Sequence, residues 1–225
     1  MPEAREAIDT GRPTCAAHLL TSLSQATPVR EPYPFWLLAD VLPRTIVEAI
    51  TALPLPPARQ AIFDGRRESN NSSRVYFTPR NQAEFSVCRE TVDLFADPGV
   101  VRALEEVTGA DLAKGRLRIE YCQDVDGFWL EPHCDIRAKL FTLLVYLSDD
   151  PNLSDAGTDI YDASPQHHRV AVAPYARNKG LIFIPSDSSW HGFSLRPIRG
   201  LRQSLIVNYV SAEWRSEGEL AFLRR

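Results

Sequence analysis

After Gly115 the chain breaks into a succession of short apolar runs, each closed by turn-forming residues, and this punctuation restricts the fold more than any other feature of the sequence. The runs cover residues 117–122, 128–133, 140–147, 158–161, 168–172, 180–184 and 203–210. Asp149-Asp150-Pro151-Asn152, Asn178-Lys179-Gly180 and Pro185-Ser186-Asp187 stand between them. Strand-length segments at this spacing predict an antiparallel sandwich or barrel. Residues 140–147, Leu-Phe-Thr-Leu-Leu-Val-Tyr-Leu, are apolar on both faces, as a strand covered from both sides requires.

Ahead of Gly115 the apolar period is helical. Short helices are expected over 16–24, from Pro43 to about Ile50, over 82–95 and over 98–107, with a strand over 35–42. Pro43 suits a first helical turn, where its missing N–H costs little, and Gly109 ends the last helix. Residues 66–73, Arg-Arg-Glu-Ser-Asn-Asn-Ser-Ser, read as a mobile loop. The expected fold is therefore α+β and mainly β, with a helical N-terminal portion packed on the strands.

Composition removes several function classes. A chain of 225 residues with 44% hydrophobic and 24% charged residues can build one substantial core and is not a disordered tail. Its net charge of -4 lacks the basic excess of a phosphate-backbone binder, so no nucleic-acid partner is expected. No apolar run approaches the roughly 20 residues of a membrane span. The start, Met1-Pro2-Glu3-Ala4-Arg5-Glu6, shows no basic segment followed by an apolar stretch, and the expectation is a cytoplasmic protein. Cys15, Cys88, Cys122 and Cys134 show no CxxC spacing and are expected as free thiols.

Two of the five histidines stand in informative company. In His133-Cys134-Asp135 the first and third residues share one face of an extended strand, so an imidazole and a carboxylate can meet at one point. His191 follows a later strand-like run in Ser189-Trp190-His191-Gly192. Two imidazoles and one carboxylate occupy three positions of an octahedron and leave three open, the arrangement that non-haem Fe(II) oxygenases use. By itself, His-x-Asp also fits a surface strand with a satisfied hydrogen bond. Gly200-Leu201-Arg202-Gln203-Ser204 adds a guanidinium and a hydroxyl on one strand face, suited to holding the far carboxylate of a diacid. Thr142, Leu144 and Tyr146 share a further face. The Tyr146 phenol suits either the same carboxylate or a core position with a backbone partner.

Together these residues resemble the 2-oxoglutarate- and Fe(II)-dependent dioxygenases, in the branch of the prolyl 4-hydroxylase-like enzymes, over about 118–210. The resemblance implies a double-stranded β-helix, or jelly roll. It implies His133, Asp135 and His191 as ligands of the catalytic iron, with Gly200, Arg202 and Ser204 matching the cosubstrate run. Tyr146-Leu147 matches the pair that ends the strand after the first ligands. Tyr121 matches a cosubstrate-contacting tyrosine ahead of His-x-Asp, although the loop over 123–130 departs from the family pattern. The implied domain plan is a loosely ordered extension over 1–30 and one oxygenase domain over 31–225, its catalytic core at about 115–212. The implied requirements are Fe(II), 2-oxoglutarate and O2, with ascorbate as a support. The implied reaction oxidises an unactivated C–H with succinate and CO2 as co-products. Retention of Asp135 favours hydroxylation, or another oxidation such as desaturation, over halogenation.

Specificity is expected from two loops, 66–79 and 124–130, with Arg74, Trp129 and Arg137 as candidate substrate-binding residues at the mouth. A compact domain without a docking module favours a small-molecule substrate. A protein prolyl side chain is the alternative. From another class, a cupin-like jelly roll that binds a metal or a sugar without catalysis has no need of Arg202 and Ser204 on the inner face, so the direction of those two side chains separates the readings.

Overall fold

The computed structural model describes residues 14–57, 63–66 and 74–222. The polar loop expected over 66–73 lies, from residue 67 onward, outside these, as do the first 13 residues of the expected extension.

Helix α1, Cys15–Ser24, starts where the Thr14 hydroxyl accepts from the Ala17 N–H, and it buries Leu19 and Leu23. Strands β1, Thr27–Val29, and β2, Phe35–Leu38, form an antiparallel pair. Helix α2, Arg44–Thr51, follows Pro43 and turns Ile46, Val47 and Ile50 inward. Strand β3, Arg74–Tyr76, precedes α3, Pro79–Glu84, and α4, Ser86–Ala96. The single helix expected over 82–95 is thus broken: Phe85 is extended at φ -125, ψ 115 and separates the two. Helix α5, Pro98–Thr108, is capped by the Asp97 carboxylate, which accepts from the Gly99 and Val100 N–H groups. Gly109 closes it at φ 75, a left-handed conformation that glycine adopts without a Cβ clash.

The strands that follow are β4, Arg116–Asp124; β5, Leu130–His133; β6, Lys139–Tyr146; β7, Asp159–Tyr161; β8, Arg169–Val172; β9, Gly180–Phe183; β10, His191–Phe193; and β11, Arg202–Val210. They form a seven-stranded sheet in the order β1-β2-β9-β6-β11-β4-β3 and a four-stranded sheet in the order β5-β10-β7-β8. Their pairing is antiparallel throughout. Strands β1, β3, β7 and β10 are three residues long, too short to show a period in the sequence.

Side-chain parity divides the larger sheet into two surfaces. Leu117, Ile119 and Tyr121 of β4, Phe141, Leu143 and Val145 of β6, and Leu205, Val207 and Tyr209 of β11 join the helices in one apolar core. The opposite face sends Leu144, Tyr146, Leu181, Phe183 and Ile206 toward Ile160 and Phe193 of the smaller sheet. On β4 and β11 this inner face becomes polar, with Arg118, Glu120, Asp124, Arg202, Ser204 and Asn208 all buried. Buried polar groups are costly without partners, so an interior of this kind is built for a ligand or an ion-pair network rather than for packing alone. No helix of the described residues is long and apolar enough to cross a membrane. Cys15, Cys88, Cys122 and Cys134 are all free.

Candidate metal centre

Strands β5 and β10 pair so that His133 lies directly opposite His191. Opposed residues of an antiparallel pair project to the same side, and the two imidazole centroids are 4.3 Å apart. Asp135 follows in the turn between β5 and β6. One donor atom from each of His133, Asp135 and His191 falls within 4.8 Å of the other two. The histidine Nδ1 atoms lie 2.9 Å from backbone carbonyls, of Glu131 for His133 and of Ser189 for His191. A carbonyl only accepts, so each Nδ1 carries the proton and each Nε2 keeps a lone pair for a metal. Burial, reinforced by the neighbouring His133, pushes His191 down to about 3, so its ring is neutral at physiological pH.

The carboxylate is held from behind. Lys139 Nζ donates to Asp135 Oδ1 at 2.5 Å and the Thr142 hydroxyl donates to Oδ2 at 2.9 Å. Both members of the Lys139–Asp135 pair are 3% exposed. Thr142 Oγ1 in turn accepts from the Asn208 side-chain amide. Sequence reasoning missed Lys139 and Thr142 in this role. The available signal was a lysine four positions beyond Asp135, at the start of a strand buried on both faces and in a chain nearly devoid of lysine.

A narrow cavity of about 60 Å³ runs inward from these donors and is lined also by Arg74, Cys122, Asp124, Arg202 and Ser204. Arg202 Nη1 donates to Asp124 Oδ2 at 2.5 Å and its Nε to the Ala156 carbonyl at 2.8 Å. Burial opposes the Arg202 charge, but Asp124 and the hydroxyls of Tyr175 and Tyr146 outweigh it and raise its pKa. Ser204 Oγ, Arg74 Nε and Asp124 Oδ1 are buried and have no hydrogen-bond partner among the described residues. Arg202 and Ser204 thus face the interior, the direction that a non-catalytic jelly roll does not require. A wider, more open cavity of about 350 Å³ shares His133, Asp135 and Lys139 with the first and is lined also by Arg118, Glu131, Ile136, Trp214 and Glu219 among others.

Four expectations about individual residues need correction. Tyr121 is not in the cavity wall: Cys122 and Asp124 face inward, so alternation turns Tyr121 into the helical core, where the Gln203 side chain donates to its hydroxyl. Arg137 is exposed and pairs with Asp187 at 3.0 Å. Trp129 lines neither cavity; its ring lies where a Cβ on Gly65 would be, 2.2 Å from that position. Arg74 does approach the site, but in the inner cavity rather than at the mouth, because β3 pairs with β4 and places Arg74 beside Cys122. Tyr146 is buried on the inner face with its hydroxyl donating to Thr158 Oγ1 at 2.9 Å.

Two facing sheets, closed over two opposed histidines and an aspartate, define a double-stranded β-helix with a mixed nitrogen–oxygen donor set that could hold a metal ion. The chain has the fold of the prolyl 4-hydroxylases and other 2-oxoglutarate–Fe(II) oxygenases. A Pseudomonas putida prolyl 4-hydroxylase is similar over 87% of this chain and 98% of its own, with TM-score 0.55 and 16% identity. A prolyl 4-hydroxylase from Phytophthora capsici is similar over 92% and 69%, with TM-score 0.57 and 13% identity. A non-haem, alpha-ketoglutarate-dependent epimerase of nogalamycin biosynthesis is similar over 88% and 83%, with TM-score 0.52 and 16% identity. No family model matches the sequence, and no curated protein matches it in a sequence search.

The residues present fit the groups that such a fold carries. The donor set is the one suited to Fe(II), and unpartnered buried donors on Ser204 and Arg74 fit an anion in the slot beyond it.

Proposed function

We propose that this chain is a 2-oxoglutarate- and Fe(II)-dependent dioxygenase that hydroxylates, or otherwise oxidises, an unactivated C–H of a small metabolite. The observation that carries the reading is the meeting of His133, Asp135 and His191 at the open end of a slot whose wall holds Arg202 and Ser204. In this reading His133, Asp135 and His191 hold the iron. Arg202 and Ser204 receive the far carboxylate of the keto diacid, with Thr158 in the same wall and Tyr146 outside the lining, where its hydroxyl holds Thr158 in place. The bound iron would supply O2 activation coupled to decarboxylation of the cosubstrate to succinate. The protein's own part is to fix the two imidazole tautomers through the Glu131 and Ser189 carbonyls. It also orients Asp135 through Lys139 and Thr142, and keeps the slot dry by packing Phe128, Leu144 and Phe193 around it. The domain plan stays part of the proposal, a catalytic core over 115–212 within one domain, but with its start moved from residue 31 to ahead of α1, because Leu19 and Leu23 join the core and β1 pairs with β2.

The outer cavity receives the substrate in this scheme. Its size suits a small molecule or one side chain, and its wall offers the Trp214 ring beside Arg118. A prolyl side chain on a protein is the second reading, favoured by the extent of the likeness to the Pseudomonas putida prolyl 4-hydroxylase.

The test is substrate-stimulated succinate release, measured with Fe(II), ascorbate and 2-oxoglutarate against a metabolite library and a set of proline-containing peptides. The expected result is turnover with one class, abolished in H191A with the fold retained. Wild-type protein that neither binds Mn(II) at these residues nor forms succinate under any condition would overturn the proposal.

A further inference from the structure

Register across the larger sheet lines up four inward-facing residues from four adjacent strands. Tyr146 of β6 is opposite Ser204 of β11, Ser204 is opposite Cys122 of β4, and Cys122 is opposite Arg74 of β3. Arg202 and Asp124 form the next inward pair along β11 and β4. The guanidinium groups of Arg74 and Arg202 therefore reach the same cavity from opposite sides of β4, and both side chains are nearly inaccessible, at 4% and 6% exposure.

The two are not equally satisfied. Arg202 is bound to Asp124 and to the Ala156 carbonyl. Glu120 is bound by Arg118, which also holds the rim residue Glu219. Arg74 is left with the Cys122 sulfur at 2.7 Å and with Glu120 at 3.6 Å, beyond hydrogen-bonding reach, and its Nε has no partner among the described residues. With Arg118 taken up by Glu120 and Glu219, and Arg202 by Asp124, Arg74 is the buried guanidinium without a hydrogen-bonded carboxylate among the described residues. A buried charge with an unused donor is costly unless an acceptor joins it. Among the described residues Ser204 Oγ and Arg74 Nε are unused donors and Asp124 Oδ1 is an unused acceptor, and all three residues line the cavity.

Resting on the reading given under Proposed function, we infer that Arg74 is a second anchoring residue for the keto diacid. Arg74 and Arg202 bracket Asp124, so a carboxylate of the ligand meets Arg202 without leaving Asp124 as an uncompensated buried anion. Arg74 thereby favours a dicarboxylate over a keto acid with one carboxylate.

Isothermal titration of the Mn(II)-loaded protein tests this without turnover. The probes are 2-oxoglutarate and 2-oxobutyrate, which share the keto-acid head and differ in the far carboxylate. Wild type should bind 2-oxoglutarate the more tightly. R74Q should weaken 2-oxoglutarate by roughly 10- to 100-fold, the value of a buried charge-assisted contact, and leave 2-oxobutyrate within about 3-fold. R74K should fall between; it also serves as the variant of record if R74Q fails to fold, and must then show the same selective loss. An equal loss for both probes would make Arg74 merely structural, and no loss for either would remove it from the site; each result overturns the inference. Wild-type protein that binds neither keto acid would instead overturn the functional proposal beneath it.

Discussion

Replacing Lys139 by methionine separates what Lys139 contributes to the Asp135 carboxylate from what a bound metal ion would supply. Lys139 and Asp135 are both 3% exposed and lie 2.5 Å apart. Removing one partner of a buried pair leaves the other as a desolvated charge, and such changes cost about 3–5 kcal/mol. K139M keeps the length and apolar stem of the side chain, so the change is mainly electrostatic. For a chain of this length the metal-free protein should lose about 6–20 °C of Tm. A divalent ion at Asp135 replaces the lost positive charge, so the metal-bound mutant should be destabilised only by about 1 kcal/mol, the size of one hydrogen bond. The difference, about 2–4 kcal/mol, must appear as tighter metal binding, roughly 30- to 700-fold. The assay is differential scanning calorimetry with and without saturating Mn(II), paired with Mn(II) titration. K139R, which retains the charge, should shift neither quantity comparably. A metal-free K139M with unchanged Tm, or one that binds Mn(II) more weakly than wild type, would refute the reasoning.

Other perturbations probe the supports around the site. A Cβ on Gly192 would lie 2.7 Å from the Leu130 carbonyl oxygen and 2.9 Å from that of Glu131, so G192A should push β10 off β5. It is expected to cost about 1–3 kcal/mol and to weaken Mn(II) binding, because His191 moves with its strand. T142V removes a donor to Asp135 and an acceptor for Asn208, and chemical denaturation should show a loss of about 1–3 kcal/mol. Asp97 caps α5 far from the metal donors, so D97A should cost about 1 kcal/mol and leave metal affinity unchanged. Burial alone would raise the pKa of Asp159, but hydrogen bonds from Arg196 and Ser194 lower it below 3.8. Its contribution is therefore complete above that unfolded value and is lost as pH falls through the lower folded value. The acid limb of a stability–pH curve should accordingly be shallower in D159N than in wild type.

The Arg-x-Ser pair was legible because a strand repeats every two residues, which puts Arg202 and Ser204 on one face whatever the pairing. The His-x-Asp spacing pointed to the right pair of donors, although β5 ends at His133 and it is the following turn that brings Asp135 round. Exposure alone did not reveal absolute parity: every residue of β4 after Arg116 is buried, so solvent contact does not separate the side of Tyr121 from that of Cys122. Pairing with β11 and β3 turns Cys122 and Asp124 inward. The same limit hid the company of Arg74, which shares a row with Ser204 through two strand pairings that join residues far apart in sequence. The break at Phe85 has no glycine or proline to mark it, and Trp129 and Arg137 were placed at the mouth by their loops alone.

This division has a physical origin. Sequence alternation reports solvent against protein, and in a sheet sandwiched between helices and a second sheet both faces meet protein. What distinguishes them is charge. The helical face of β4 carries Leu117, Ile119 and Tyr121; the inner face carries Arg118, Glu120, Cys122 and Asp124. Ionisable residues are almost never fully buried without partners, so their alternation with apolar residues inside an otherwise buried strand marks the ligand side. On β11 the one charged residue, Arg202, marks the face it shares with Ser204, Ile206 and Asn208, against Gln203, Leu205, Val207 and Tyr209. The rule thus puts Arg118 and Asn208 on the same inner faces as the groups assigned to the site. Arg118 and Asn208 are joined by a 2.9 Å hydrogen bond, and Asn208 donates to Thr142, which donates to Asp135. The Asp135 carboxylate is thus the end of a buried polar chain that starts at Arg118, in the wall of the outer cavity. Under the proposed function, a substrate contact at Arg118 would have a direct hydrogen-bonded route to the orientation of Asp135.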